Sequence, residues 1–242
     1  MLFLLYFLVL NLNSYAGVSS QQIKFSPWEQ LDLALTSGVN TSDTKVANAL
    51  IERLQIEVNS KRINTFRGEA AEGYIEYLIK LIEHVSSIRD DSIVKPLVDS
   101  LEIVGGIFIP NQLAKYREKS LQVLTKKYSN VKRKEGTRSV DSQHAKITRT
   151  RVLHAMNQVN IHMKSSRSAI SRSVSDDMNS IFFDSLKDSD PFIREQAVSA
   201  LKETRDRRVI SKLESILINE RHSSEVKNTI KDLKDYLQRK LY

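Results

Sequence analysis

Three apolar residues, Ile193, Ala197 and Ala200, return thirty-three residues later as Val226, Ile230 and Leu233, and Arg194 returns as Lys227. Residues at i, i+4 and i+7 share one face of an α-helix. A face that recurs at this distance belongs to units too small to bury it alone, so each unit needs a neighbour to cover it. Val209, Ile210, Leu213, Ile216 and Leu217 form a second helix between the two copies. That second helix has an earlier echo: RDDSIVKPLVDSL (89–101) aligns with RDRRVISKLESIL (205–217), keeping Arg, Asp, two adjacent β-branched residues and Leu. DDMNSIFFDSL (176–186) is a weaker third copy. The pattern predicts an all-α fold, a short α-solenoid of paired antiparallel helices, about eight to ten in number.

Local signals agree. Asp190 has the chemistry of an N-cap, and Pro191 then falls at the first helical position, where a missing N–H has no partner to lose. Arg205-Asp206 separates this helix from the next. Upstream, Ser26-Pro27-Trp28 reads as a helix start, Ser42 or Asp43 as the cap of the next helix, and 66–85 as a third. Pro110 opens a helix expected to run to about Asn130, and Val152, Met156, Val159 and Met163 form the stripe of another over 147–163. VKRKEGTRSVDSQHA (131–145) is polar, basic and aperiodic, and reads as a loop. With seven Gly and four Pro, the chain has few signals for hairpins. Trp28 and the Phe182-Phe183 pair read as core anchors.

DSDPFIREQAVSALKETRDRRVISKLESIL resembles a HEAT repeat of the short type found in phycobilisome-lyase-like proteins. Asp188 or Asp190, Pro191, Ile193, Arg194, Ala197, Ala200 and Leu201 fill the family pattern. The likeness is good over 175–240, loose over 66–104 and absent over 105–165. It implies a right-handed stack with a concave binding surface, in which Asp190, Pro191, Arg194 and Asp206 build the repeat and Arg194 supports the turn of an adjacent repeat rather than contacting a ligand. Arrays of this kind bind proteins through extended surfaces. That implies a non-enzymatic scaffold, with Lys95, Asp99, Ser211, Lys212 and Glu214 as polar, partner-facing positions on the second helices.

The expected organisation is a signal peptide over 1–16, N-terminal helical repeats over 17–130, the basic loop over 131–145 and HEAT-like repeats over 146–242. The first segment has an apolar run from Leu2 to Leu10, then Ser14-Tyr15-Ala16, with small residues where a signal peptidase needs them and cleavage expected before Gly17. The run is too short to cross about 30 Å of hydrocarbon as a helix. It also lacks the Lys or Arg of a typical n-region, and the alternative is a buried N-terminal helix of a cytoplasmic protein. Export places the protein outside the cytoplasm, periplasmic or secreted.

Charge is concentrated. Lys115 to Arg172 contains fifteen Lys or Arg and three acidic residues, whereas the whole chain carries +8. Lys132, Arg133, Lys134, Arg138, Lys146, Arg149 and Arg151 form the densest part and a candidate anion-binding surface for nucleic acid, lipid headgroups, an anionic polymer or an acidic protein. The alternative function is therefore a cytoplasmic nucleic-acid-binding protein, resembling HEAT-like DNA glycosylases, that uses 115–172. Only Tyr116 and Tyr128 are near enough to stack on bases, which is poor aromatic interleaving.

The absence of cysteine excludes a disulfide framework, thiolate metal ligands and a cysteine nucleophile. The five histidines are His84, His144, His154, His162 and His222. His154 and His162 are eight residues apart with no carboxylate between them, which is not a helical metal-ligand spacing. Some HEAT-like hydroxylases use His-Glu dipeptides as iron ligands, and this chain has none. No metal, cofactor or catalytic residue is expected.

Overall fold

The computed structural model describes residues 18–106, 108–135, 141–166, 168–203, 206–218 and 223–241. The proposed signal segment 1–16 lies outside them. Among the described residues there are twelve α-helices, two short 3-10 turns and no strand, so the fold is all-α. Two more helices occur than the eight to ten expected. One is a short helix, Ser20–Phe25, closed by a capping box between Ser19 and Gln22. The other arises because the helix opened by Pro110 is two helices. The chain divides into two compact units, Met1–Val104 and Gly105–Tyr242.

The first unit contains α1 (Ser20–Phe25), α2 (Trp28–Thr36), α3 (Thr44–Ser60), α4 (Glu69–Ser87) and α5 (Val94–Ser100). Asp43, rather than Ser42, caps α3 by accepting from the N–H groups of Lys45 and Val46. Helix α3 packs against α1, α4 and α5, and α2 packs against α4. Leu31, Leu50, Leu54, Tyr74, Tyr77, Leu78 and Leu81 are buried between them.

Two charged residues are buried in that apolar core. Arg53 and Glu57, one turn apart on α3, are 5% and 1% exposed. Arg53 Nε donates to Glu57 Oε1 at 2.8 Å and to the Tyr77 hydroxyl at 3.0 Å. Its Nη1 donates to the carbonyls of Lys24 at 3.3 Å and Ser26 at 2.8 Å. Those carbonyls lie at the C-terminal end of α1, where no intrahelical donor remains for them. Glu57 also accepts from the hydroxyls of Tyr74 and Tyr77 at 2.5 and 3.1 Å. Burial and the neighbouring Glu57 carboxylate push both phenols well above the usual tyrosine range. Trp28 leans on both tyrosine rings, centred 5.4 Å from Tyr74 and 5.9 Å from Tyr77, and Phe66 leans on Tyr74 at 4.8 Å.

The second unit contains α6 (Phe108–Ala114), α7 (Arg117–Glu135), α8 (Asp141–Ser165), α9 (Arg172–Ser185), α10 (Pro191–Lys202), α11 (Arg208–Leu217) and α12 (Ser224–Leu241). Pro110 sits within the first turn of α6, which ends at Ala114. Arg117, with φ of 49°, then takes the left-handed turn that starts α7. Helix α8 packs against α6, α7 and α10, and Val152, Leu153, Ala155, Met156, Val159 and Met163 on it are fully buried. A helix covered on several sides loses the one-faced periodicity of a surface helix.

The loop expected over 131–145 is largely helical. Residues 131–135 finish α7, residues 141–145 begin α8, and 136–140 lie outside the described residues. Val131 and Ala145 are 6% and 5% exposed, so the packing of α7 on α8 buries one apolar residue at each helix end. Lys, Arg and Glu are also good helix formers, so a polar composition alone does not make a loop.

The repeat residues take their expected local places. Asp190 caps α10 by accepting from Phe192 N, and Pro191 is the first helical residue. Ile193, Ala197, Ala200 and Leu201 are buried, as are their echoes Val226, Ile230 and Leu233. Helix α10 packs against α12, and α11 also packs against α12. The echo between 89–101 and 205–217 extends to a hydrogen bond. Asp90 accepts from Ser92 N at 2.6 Å, and Asp206 accepts from Arg208 N at 3.0 Å. The buried pairs Ile93-Val94 and Val209-Ile210 follow directly.

Replacing Arg53 by Met should destabilise the first unit by about 3–5 kcal/mol, because Glu57 is left as an unpaired buried charge. Arg53→Met with Glu57→Leu should cost clearly less than the single change. Urea unfolding followed by the emission of Trp28, which reports on this cluster, tests the order of the two; equal losses would remove the unpaired-charge explanation.

Candidate functional site

The candidate anion-binding residues all belong to the second unit, but they do not form one free surface. Three of them are bound to carboxylates of the chain itself. Lys132 on α7 reaches Asp184 at 3.2 Å, Arg149 on α8 reaches Asp188 at 2.5 Å, and Lys146 on α8 reaches Asp190 at 3.0 Å. The three acids come from the end of α9 and the turn into α10.

Arg149 corrects the sequence reading. It is 4% exposed, so it is not a contact for an external anion. Its guanidinium also lies 3.5 Å from the Tyr128 hydroxyl, which meets Ser185 Oγ at 2.8 Å. Burial opposes the charge on Arg149, but the bonds to Asp188 and Tyr128 outweigh it and hold the group protonated. Arg151 is half-buried, and burial lowers the proton affinity of its guanidinium. It covers Gly105, where an added Cβ would meet Arg151 Nε at 3.0 Å. Arg133 is exposed. Arg138 and the side chain of Lys134 lie outside the described residues.

The turn carrying Asp188 and Asp190 is held a third time. Arg194, itself 4% exposed, donates to the carbonyls of Asp188 at 2.8 Å and Ser189 at 3.1 Å, and it pairs with Glu225 at the start of α12. Its contacts are those of a turn-supporting residue. Hydrogen bonding from Lys146 and from Phe192 N, against a smaller effect of burial, keeps the Asp190 carboxyl below the usual aspartate range. For Asp184 burial pulls upward, and Lys187 and Lys132 together outweigh it, again lowering the value.

The exposed end of the basic segment borders a groove. Helices α7 and α9 lie side by side and run in the same direction. Ser171 N, just before α9, donates to Glu118 Oε2 near the start of α7, and Lys132 meets Asp184 near the far ends. The sequence separations across these two tethers are 53 and 52, the near-constant offset of parallel helices. Along this seam lies a groove of about 750 Å³ lined by Lys126, Ser129, Lys132 and Arg133 of α7 and by Asp177, Ser180, Ile181 and Asp184 of α9, among others. That volume is within the range of ligand clefts, about 300–1,000 Å³, although the lining is more polar than most.

The five positions expected to face a partner fall in different units: Lys95 and Asp99 in the first, Ser211, Lys212 and Glu214 in the second. Lys95 pairs with Asp99 at 2.5 Å along α5, and Glu214 lies 3.8 Å from Lys234. Lys95, Ser211, Lys212 and Glu214 are exposed, and Asp99 is half-buried. His84 contacts the Leu35 carbonyl and His154 contacts Gln196, while His222 lies outside the described residues. Among the described residues no group of three His, Asp or Glu side chains is arranged to hold a metal ion.

Sequence reasoning missed the acidic partners. DSLKDSD (184–190) carries three Asp residues at spacings of four and two, the only signal available that the basic segment has a counterpart inside the chain. The groove had no linear signal, because its walls are separated by the whole of α8. In comparisons with known proteins, no family model, curated protein or solved structure matches the chain.

Burial ranks the three ion pairs. Arg149→Met should cost about 3–5 kcal/mol by stranding the half-buried Asp188 carboxylate. Lys132→Met, which breaks a pair exposed on both sides, should cost less than about 1 kcal/mol. Chemical denaturation of both variants tests this; similar losses would mean that burial does not set the value of these pairs. The pH dependence has a definite sign. Asp184 and Asp190 have lowered folded values, so their contribution is present above about pH 4 and is lost as pH falls through the folded values. Asp184→Asn with Asp190→Asn should lower stability at pH 7 and flatten its decline below pH 4, read from melting curves across that range.

Proposed function

We propose that this chain is a non-enzymatic, exported protein-interaction scaffold built from HEAT-like helix pairs. One observation carries the reading: the buried guanidinium groups of Arg53, Arg149 and Arg194 are each bound to the chain's own carboxylates or turn carbonyls. The interior charge therefore serves packing, and what the molecule offers to others is polar helix surface. Arg194, in its Asp-Pro-Phe-Ile-Arg context, holds the turn before its own helix and pairs with Glu225 at the start of α12. The HEAT resemblance assigns it to the turn of an adjacent repeat, so the Glu225 contact is the part that supports the repeat reading. Lys95, Asp99, Ser211, Lys212 and Glu214 are the partner-facing positions in this proposal, and no cofactor takes part.

The competing reading, nucleic-acid binding through 115–172, is weakened by the same contacts. Lys132, Lys146 and Arg149 already face internal carboxylates, so fewer cations remain for phosphates. Any such binding would have to fall steeply with salt as counterions are released.

Tagged chain carrying Lys95→Glu and Lys212→Glu should lose capture of its protein partner from extracytoplasmic extract while keeping the helicity of the unaltered chain. Intact mass of the same preparation reads the export half of the proposal, and a species beginning at Gly17 is expected. Undiminished capture would sink the partner-facing surface, and a full-length species confined to the cytoplasm would sink export.

A further inference from the structure

We propose that the groove between α7 and α9 seats a helical segment of a partner protein, acidic along the edge facing α7 and basic along the edge facing α9. This rests on the protein-interaction reading and names a site and a partner chemistry within it. The α7 wall of the groove runs from Gln122 to Arg133, eleven residues, and the Lys132–Asp184 pair forms part of the lining near one end. That is about 16 Å, or roughly three helical turns of wall.

Within that length the charges are divided between the walls. Lys126 and Arg133 line the groove from α7, are exposed, and form no ion pair among the described residues. Asp177 lines it from α9, is exposed, and likewise has no cationic partner there. The adjacent Asp176 is engaged by Arg172 and Arg208. One wall therefore offers unused positive charge and the other unused negative charge.

Two arguments select the occupant. A uniform polyanion such as a nucleic acid would gain at Lys126 and Arg133 but be repelled at the α9 wall by Asp177. A helix with separated acidic and basic edges matches both walls, as charged flanking positions do in helix–helix pairing. Spacing then favours a helix over an extended peptide. Lys126 and Arg133 are seven residues apart, about 10 Å along α7 and nearly on one line. A partner helix running alongside repeats its own side chains at i and i+7 over the same distance. In a strand, three residues cover about 10 Å, but side chains three apart point to opposite faces.

The probe is a fluorescein-labelled, alanine-rich helical peptide with Glu at i, i+7 and i+14 on one edge and Lys on the other. It is titrated with the full chain by fluorescence anisotropy, beside a single-stranded oligonucleotide of similar length. The peptide should bind, and Lys126→Glu with Arg133→Glu should weaken it about tenfold or more, with helicity unchanged by circular dichroism. A peptide with Lys in place of the three Glu residues should bind this double variant better than it binds the unaltered chain. Absence of peptide binding, or binding indifferent to the reversal, would overturn the groove while leaving the Lys95 and Lys212 experiment to decide the scaffold. An oligonucleotide that binds more tightly than the peptide, and displaces it, would overturn both.

Discussion

A guanidinium group taken out of water brings five N–H donors and a full charge, and the structure has to meet most of them. Arg53, Arg149 and Arg194 each impose that requirement, and each is met at a junction between helices. Arg53 holds the end of α1 against α3, with Glu57 and two tyrosine hydroxyls completing the set. Arg194 holds the turn before α10 by its carbonyls, and Arg149 holds the same turn by the Asp188 carboxylate. These contacts fix where chain segments meet. The apolar faces around them supply most of the burial but would tolerate small shifts along a helix. A charge-assisted hydrogen bond does not, because its geometry is directional.

The same contacts change what the charge of the chain means. A basic segment of this density attracts anions in general. Here part of that attraction is satisfied internally, by three aspartates between 184 and 190. Two of those pairs are open to solvent on at least one side, and the buried one is Arg149 with Asp188, at 5% and 15% side-chain exposure. Charge that is matched in this way orders α7, α8 and the α9–α10 turn in the second unit. Charge that is not matched, at Lys126 and Arg133, lies where two parallel helices leave a groove.

Parallel neighbours need a return path, and α8 provides it. It runs back alongside α7, so the next helix, α9, can lie beside α7 in the same direction. That arrangement separates the two walls of the groove by about fifty residues of sequence and gives them different compositions. One is drawn from the basic segment and the other from the acid-rich region that follows it.

Much of the local construction was legible in the sequence. The cap at Asp190, Pro191 in the first helical position, the buried faces of α10, α11 and α12, and the all-α class follow from short-range rules of capping, periodicity and composition. The correspondence of Asp90 with Asp206 is another such case, since each aspartate bonds to an N–H two residues on. Helix α8 was legible over 147–163 from its Val152-Met156-Val159-Met163 stripe, but its first turn is too polar to read as packed. The burial of Arg149, the pairing of Lys132 and Lys146, and the groove were decided only by tertiary structure. Each depends on which carboxylate lies opposite across thirty-nine to fifty-two residues of intervening chain. Composition fixes how many charges a segment carries. Only packing decides whether those charges face water or one another.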